Sequence, residues 1–170
     1  GIRTKTFTVP ILQDTLAEGT ETINLTLSMP TPVGVAQLVT ARSTAILSIE
    51  DDDEGGAIEF DGANFSALES AGTGVIRVKR TGTAGKTLAS GVTIDYATSD
   101  GTATAGLDYV ATAGRLTFPA GATSLTFTVP LINDTLGEGK ETVNVTLSNP
   151  GGGGTIGGTA KPVLDILDDG

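Results

Sequence analysis

Leu125 to Pro150 reads LTFTVPLINDTLGEGKETVNVTLSNP, and Lys5 to Pro30 reads KTFTVPILQDTLAEGTETINLTLSMP. At a constant offset of 120, 17 of the 26 positions are identical. Each copy runs on into an apolar stretch that ends in acids, Ala45-Ile-Leu-Ser-Ile-Glu-Asp-Asp-Asp53 and Val163-Leu-Asp-Ile-Leu-Asp-Asp169. Self-similarity at a long fixed period is the mark of an array of modules. The copies are unequal, because nothing in residues 1–53 matches 54–120. The expected organisation is therefore the C-terminal part of one repeat over residues 1–53, followed by a complete repeat over 54–170.

Within the second copy, apolar residues alternate over short runs separated by Gly, Pro and Asn, the pattern of half-buried strands. Expected strands cover 57–68 with a break at Asp61-Gly62, then 74–81, 92–98, 115–118, 124–132, 141–148 and 159–167. Leu125, Phe127, Val129, Val143, Val145 and Leu147 should face inward. With 24 glycines, few aromatics and abundant Thr and Val, the composition agrees with an all-β chain. Seven such strands predict an immunoglobulin-like Greek-key β-sandwich.

The acids then sort by position. Successive antiparallel strands put the loops 82–90, 119–123 and 149–158 at one pole, and these contain no Asp or Glu. The opposite pole collects Glu69, Asp100, Asp108, Asp134, Glu138, Glu141, Asp168 and Asp169, with Lys140 as the only basic residue in those loops. A net charge of -10 could serve solubility alone, but solubility does not require such segregation. Each carboxylate pair at ~5 Å repels by roughly 3 kcal/mol at an effective dielectric near 20. A divalent cation reverses that sign. The chain has no Cys and no His, so the donors are hard oxygens, which favour Ca2+ with its 6–8 ligands over Mg2+. The first copy repeats the triad as Asp14, Glu18 and Glu21 and ends in Asp51, Asp52 and Asp53. It lacks the two loops that would complete its site.

Tyr96–Tyr109 (YATSDGTATAGLDY), Gly114–Gly121 (GRLTFPAG), Leu131–Glu141 (LINDTLGEGKE) and the terminal Asp168-Asp169 together resemble the Calx-beta family. That resemblance implies a sandwich binding Ca2+ at one end through Glu69, Asp108, Asp134, Glu138, Glu141, Asp168 and Asp169. It makes Asp100 part of a structural Asp-Gly turn. Asn133 and Gly170 stand where high-affinity members carry acids, which implies fewer or weaker ions.

Other functions are excluded or disfavoured. An acidic chain without a basic face is unsuited to nucleic acid, and no apolar run reaches the ~20 residues of a membrane span. Without His or Cys there is no usual general base or paired nucleophile. With no Trp and two Tyr there are no aromatic walls for a glycosidase cleft. Gly152–Gly157 matches G-x-G-x-x-G but opens no helix. The expectation is a non-catalytic Ca2+-binding repeat of a longer, secreted or cell-surface protein, its ion stiffening the junction with neighbouring repeats. The alternatives are an adhesion module for a protein or glycan, and a calcium sensor. The half copy further suggests a strand-exchanged homodimer.

Overall fold

A computed structural model describes residues 4–28, 37–158 and 161–169. Two sheets face each other over residues 57–167. One holds β4 (Ala57–Phe60), β6 (Thr73–Thr81), β10 (Ser124–Pro130) and β12 (Thr155–Ile156) in the order β10-β6-β4-β12. The other holds β5 (Phe65–Leu68), β8 (Val92–Asp100), β9 (Ala113–Phe118), β11 (Glu141–Gly151) and β13 (Val163–Leu167) in the order β5-β13-β11-β8-β9. The first and last strands each cross between sheets. Thus β12 runs parallel to β4 and β13 parallel to β5. The break at Asp61-Gly62 that the sequence marks is where the first crossing occurs.

Alternation fixes which side of each strand is buried. Ile76 and Val78 of β6 are fully buried, and Ile76 lies opposite Phe127 of β10. Val92 and Ile94, Val143 and Val145, and Leu164 and Ile166 line the facing sheet. Tyr96 stacks on Phe127 across the core, centroids 4.0 Å apart. Gly74 is needed for close packing, since a Cβ there would sit 2.5 Å from Leu164. Likewise a Cβ on Gly55 would meet the Gly153 backbone at 2.0 Å. The glycine run at 151–154 therefore serves a tight turn against the linker, not a phosphate.

Arg80 occupies an inward position of β6 and is 2% exposed. Its guanidinium donates to the carbonyls of Ala89, Ala122 and Pro119 and lies over the Phe118 ring, 5.0 Å from the centroid. Among the described residues no carboxylate pairs with it. It ties the loops 82–90 and 119–123 together at the acid-free pole. The second tyrosine, Tyr109, is fully buried, and its hydroxyl donates to Asp100 at 2.7 Å. Burial and that carboxylate push the phenol up to about 12. The bonds from Tyr109 and the Ala105 N–H hold Asp100 below the usual carboxylate range. Asp100 is thus a turn residue.

Residues 1–53 differ. β1 (Glu21–Thr26) and β2 (Thr44–Ile49) form a separate antiparallel pair. Its register sets Ile23 opposite Leu47 and Glu21 opposite Ile49. That reproduces the β11–β13 register, where Val143 faces Leu164 and Glu141 faces Ile166. Among the described residues no third strand joins this pair, although the repeat likeness of 1–53 to 121–170 leads one to expect a counterpart of β10. Residues 4–10 are not a strand, although Phe7-Thr-Val-Pro10 is spelled like Phe127-Thr-Val-Pro130 of β10. The difference is one of pairing: β10 pairs with β6, whereas among the described residues no strand pairs with 4–10.

Arg80→Leu should leave three carbonyls without their donor and cost about 3 kcal/mol, read from the urea midpoint at unchanged slope.

Candidate metal centre

The loop between β10 and β11 is braced by its own acids. Asp134 Oδ1 accepts the Leu136 N–H at 2.6 Å, and Asp168 Oδ2 accepts the Glu138 N–H at 2.6 Å. Glu69, on a short 3-10 turn after β5 and 6% exposed, accepts the Asp134 N–H at 2.6 Å. Asp108 accepts the Thr104 N–H at 2.6 Å. Backbone bonds draw these loops to the end of β10. Leu131 N–H reaches Gly72, Val110 N–H reaches Pro130 and Ile132 N–H reaches Asp108. The scaffold forces the convergence, and the charges follow.

One carboxylate oxygen from each of Asp108, Glu138 and Glu141 lies within 4.8 Å of the others. Desolvation, followed by the negative fields of Asp108, Asp134, Glu69 and Asp168, pushes the Glu138 carboxyl up. Glu141 is raised by desolvation and then by Asp108 and Glu138. Lys140 does not relieve this crowding, for it pairs with Asp165 at 3.2 Å. Asp169 lies beside the cluster, accepting bonds from the Ser70 N–H and hydroxyl. Six of the seven expected residues of the second copy thus meet around one loop, and the seventh secures the turn that carries Glu69. Donors of this kind fit a hard divalent cation: oxygens alone, several of them anionic, converging from four segments. Ser70 and Thr104, which fix the orientation of Asp169 and Asp108, carry no signal in the sequence beyond adjacency to acids.

The first copy reproduces the loop bonds. Asp14 Oδ1 accepts the Leu16 N–H at 2.8 Å, and Asp51 Oδ2 accepts the Glu18 N–H at 2.5 Å. Glu18 is raised by Asp14 first, then by Glu21, desolvation and Asp51. Asp51 itself is lowered, chiefly by the N–H groups of Glu18 and Asp53. Here the close trio is Asp51, Asp52 and Asp53, again within 4.8 Å. Gln13 donates to Asp52 Oδ1 at 2.8 Å.

This first cluster sits directly on the acid-free pole of the second copy. β3 (Asp53–Glu54) pairs in parallel with β7 (Thr87–Leu88) inside what the sequence marks as a loop. Thr87 Oγ1 donates to Asp53, which is 5% exposed, and Lys86 Nζ reaches the Asp51 carbonyl at 3.4 Å. Thr15 and Ser90 meet through both side chains and backbone, the Ser90 N–H reaching the Thr15 carbonyl at 2.7 Å. Lys86 and Thr87 were not among the expected site residues, since nothing in the sequence marks a basic or hydroxyl residue as a neighbour of acids more than 30 positions away.

Comparisons with known proteins bear on this arrangement. The Calx-beta domain family model matches residues 1–53 and 51–170. The sodium/calcium exchanger Calx of Drosophila melanogaster is 31% identical over 120 residues, 71% of this chain and 12% of that protein. Sodium/calcium exchanger 3 of Rattus norvegicus is 33% identical over 110 residues, 65% of this chain and 12% of that protein. The chain thus corresponds to about an eighth of these relatives' length. Among solved structures, the apo-form Calx CBD1 domain superposes with a TM-score of 0.61 at 31% identity, covering 69% of this chain and all of that domain. The calcium binding domain CBD12 of CALX1.1 gives 0.59 at 31% identity, covering 66% of this chain and 45% of that one. These matches correct one expectation. The relatives are exchangers of ions and not secreted or surface adhesion proteins, so the extracellular, cell-surface location read from composition does not stand. Zero cysteine and an acidic balance were compatible with secretion but never specific to it. Matched over both copies, with the sandwich of a calcium-binding domain, this chain belongs to the Calx-beta family.

Proposed function

We propose that this chain is a non-catalytic, calcium-binding regulatory or structural segment in which Ca2+ is held by Glu69, Asp108, Asp134, Glu138, Glu141 and Asp168. On this reading residues 54–170 are a complete repeat, and residues 1–53 are the end of another. The observation that carries it is the convergence of Asp108, Glu138 and Glu141 oxygens within 4.8 Å, with the neighbouring lysine turned to Asp165. The family and the printed description of the CBD12 match support Ca2+ as the ion. A bound cation would supply the positive charge that the cluster lacks. The chain's residues orient the donors, and the backbone bonds between loops hold them together.

The junction gives the second element of the proposal. The Asp51–Asp53 cluster abuts Lys86 and Thr87, so charge neutralisation there would act on the linker directly. Calcium would favour one angle between neighbouring repeats, and its loss would loosen them. The same device suits a static spacer and a calcium-responsive regulator. The exchanger relatives favour the second. An adhesive role gains little: among the described residues of the loops 82–90, 119–123 and 149–158, the exposed large apolar side chain is Ile156.

Ca2+ at a hundredfold excess over its Kd should stabilise the chain by about 2.7 kcal/mol, seen as a rise in Tm over EGTA-treated protein. Asp134→Asn and Glu138→Gln should each abolish most of that rise; an unchanged response in both would sink the reading. The pH response follows from the raised carboxyls. Glu138 and Glu141 lie above their ordinary 4.5 when folded, so their contribution is full below that value and is lost as pH rises through the raised one. Metal-free protein should therefore gain stability as pH falls from 7 to about 5. It should lose it again at lower pH, as the depressed Asp51, Asp95 and Asp100 take up protons. Calcium-loaded protein should show the opposite slope between pH 7 and about 5, because protons compete for the ligands. At the junction, Thr87→Val should speed proteolysis of residues 50–56 while leaving calcium uptake by the second copy unchanged, measured by limited digestion beside calorimetric titration.

A further inference from the structure

The acidic pole of the second copy carries an apolar rim for which neither the core nor the ion accounts. Leu68 ends β5 just before Glu69, Leu107 precedes Asp108, and Leu136 lies between Asp134 and Glu138. These leucines are 47%, 67% and 63% exposed, and none joins the core. The acids beside them sit deeper. Glu69 is 6% exposed, and Asp108, Glu141 and Asp168 are half-buried. Residues 104–107 and 135–137 are exposed and carry no charge. Contact between repeats does not cover the leucine position either. Leu16, the counterpart of Leu136, stays 51% exposed where the first acidic loop meets the second copy. That contact is made by Thr15 with Ser90 and by Ala17 against Gly153.

Charge decides what can lie on such a surface. Lys140 is taken by Asp165, so without an ion the pole repels any anionic partner. A bound Ca2+ inverts that locally. Several donor oxygens are shared with the loops, since Asp134 Oδ1, Asp168 Oδ2 and the Asp169 carboxylate already accept N–H or O–H groups. An ion that takes 6–8 oxygens then draws on oxygens from outside the chain. We propose that this pole docks on an anionic phospholipid surface when calcium is bound. Headgroup phosphate oxygens complete the ion's shell, and Leu68, Leu107 and Leu136 enter the acyl boundary. The proposal rests on the calcium reading above and names the partner of that same site. Neither element suffices alone: three leucines bury little area, and one bridged headgroup is a weak tie. A soluble phosphate would use the ion but not the leucines.

The test is cosedimentation of the full chain with phosphatidylcholine vesicles, prepared with and without phosphatidylserine, beside calorimetric titration of Ca2+. In millimolar CaCl2 the chain should sediment with the vesicles that contain phosphatidylserine. It should stay in solution in EGTA, and with phosphatidylcholine alone, whose choline cation neutralises its phosphate. Leu107→Ser and Leu136→Ser together should lower the partition about tenfold or more. Calcium uptake by that double variant should equal the parent's, which also shows that it folds. Undiminished partition of the double variant would overturn the proposal, as would equal binding in EGTA. Calcium uptake without vesicle binding overturns it too and leaves the calcium reading standing, whereas absence of uptake removes both. Calcium-dependent self-association in place of vesicle binding, lost in the double variant, would likewise overturn it, because the occupant would then be a second copy.

Discussion

Asp108, Glu138 and Glu141 are kept close by backbone bonds that fasten their loops to the end of β10. The Leu131, Ile132 and Val110 amides fasten two neighbouring loops to the end of β10, and the sandwich behind them is too well packed to let those loops separate. Core burial therefore works against the electrostatics at this pole. The raised carboxyls of Glu138 and Glu141 express that conflict. A bound cation would remove it. The Calx-beta membership and the pole geometry thus meet in one physical account.

The two ends of the sandwich divide the work. At the acid-free pole Arg80 collects three carbonyls and makes a firm platform from loops that the sequence leaves polar and glycine-rich. Onto that platform the first acidic cluster is set through Thr87, Lys86 and Ser90. The first acidic cluster and the loop 82–90 of the following copy are thus joined by a few hydrogen bonds.

The two copies offer an internal control on what a strand is. Phe7-Thr-Val-Pro10 and Phe127-Thr-Val-Pro130 have the same residues, yet only the second is a strand. Local propensity is equal in the two, so the difference lies in partners: β6 pairs with β10, and among the described residues no strand pairs with 4–10. The β1 and β2 strands form because they pair with each other.

Alternation of apolar residues, turn glycines and the repeated acids determined the sandwich, the break after Phe60, the inward faces of β10 and β11, and the gathering of Glu69, Asp108, Asp134, Glu138, Glu141 and Asp168. These are local or periodic signals, carried by residues whose spacing follows strand geometry. Tertiary structure alone decided that residues 4–10 stay unpaired, that Arg80 is a buried clamp, that Asp169 secures Ser70, and that Lys86 and Thr87 adjoin the Asp51–Asp53 cluster. Each depends on contacts between segments far apart in the chain, and no pattern within one segment encodes who its neighbour will be.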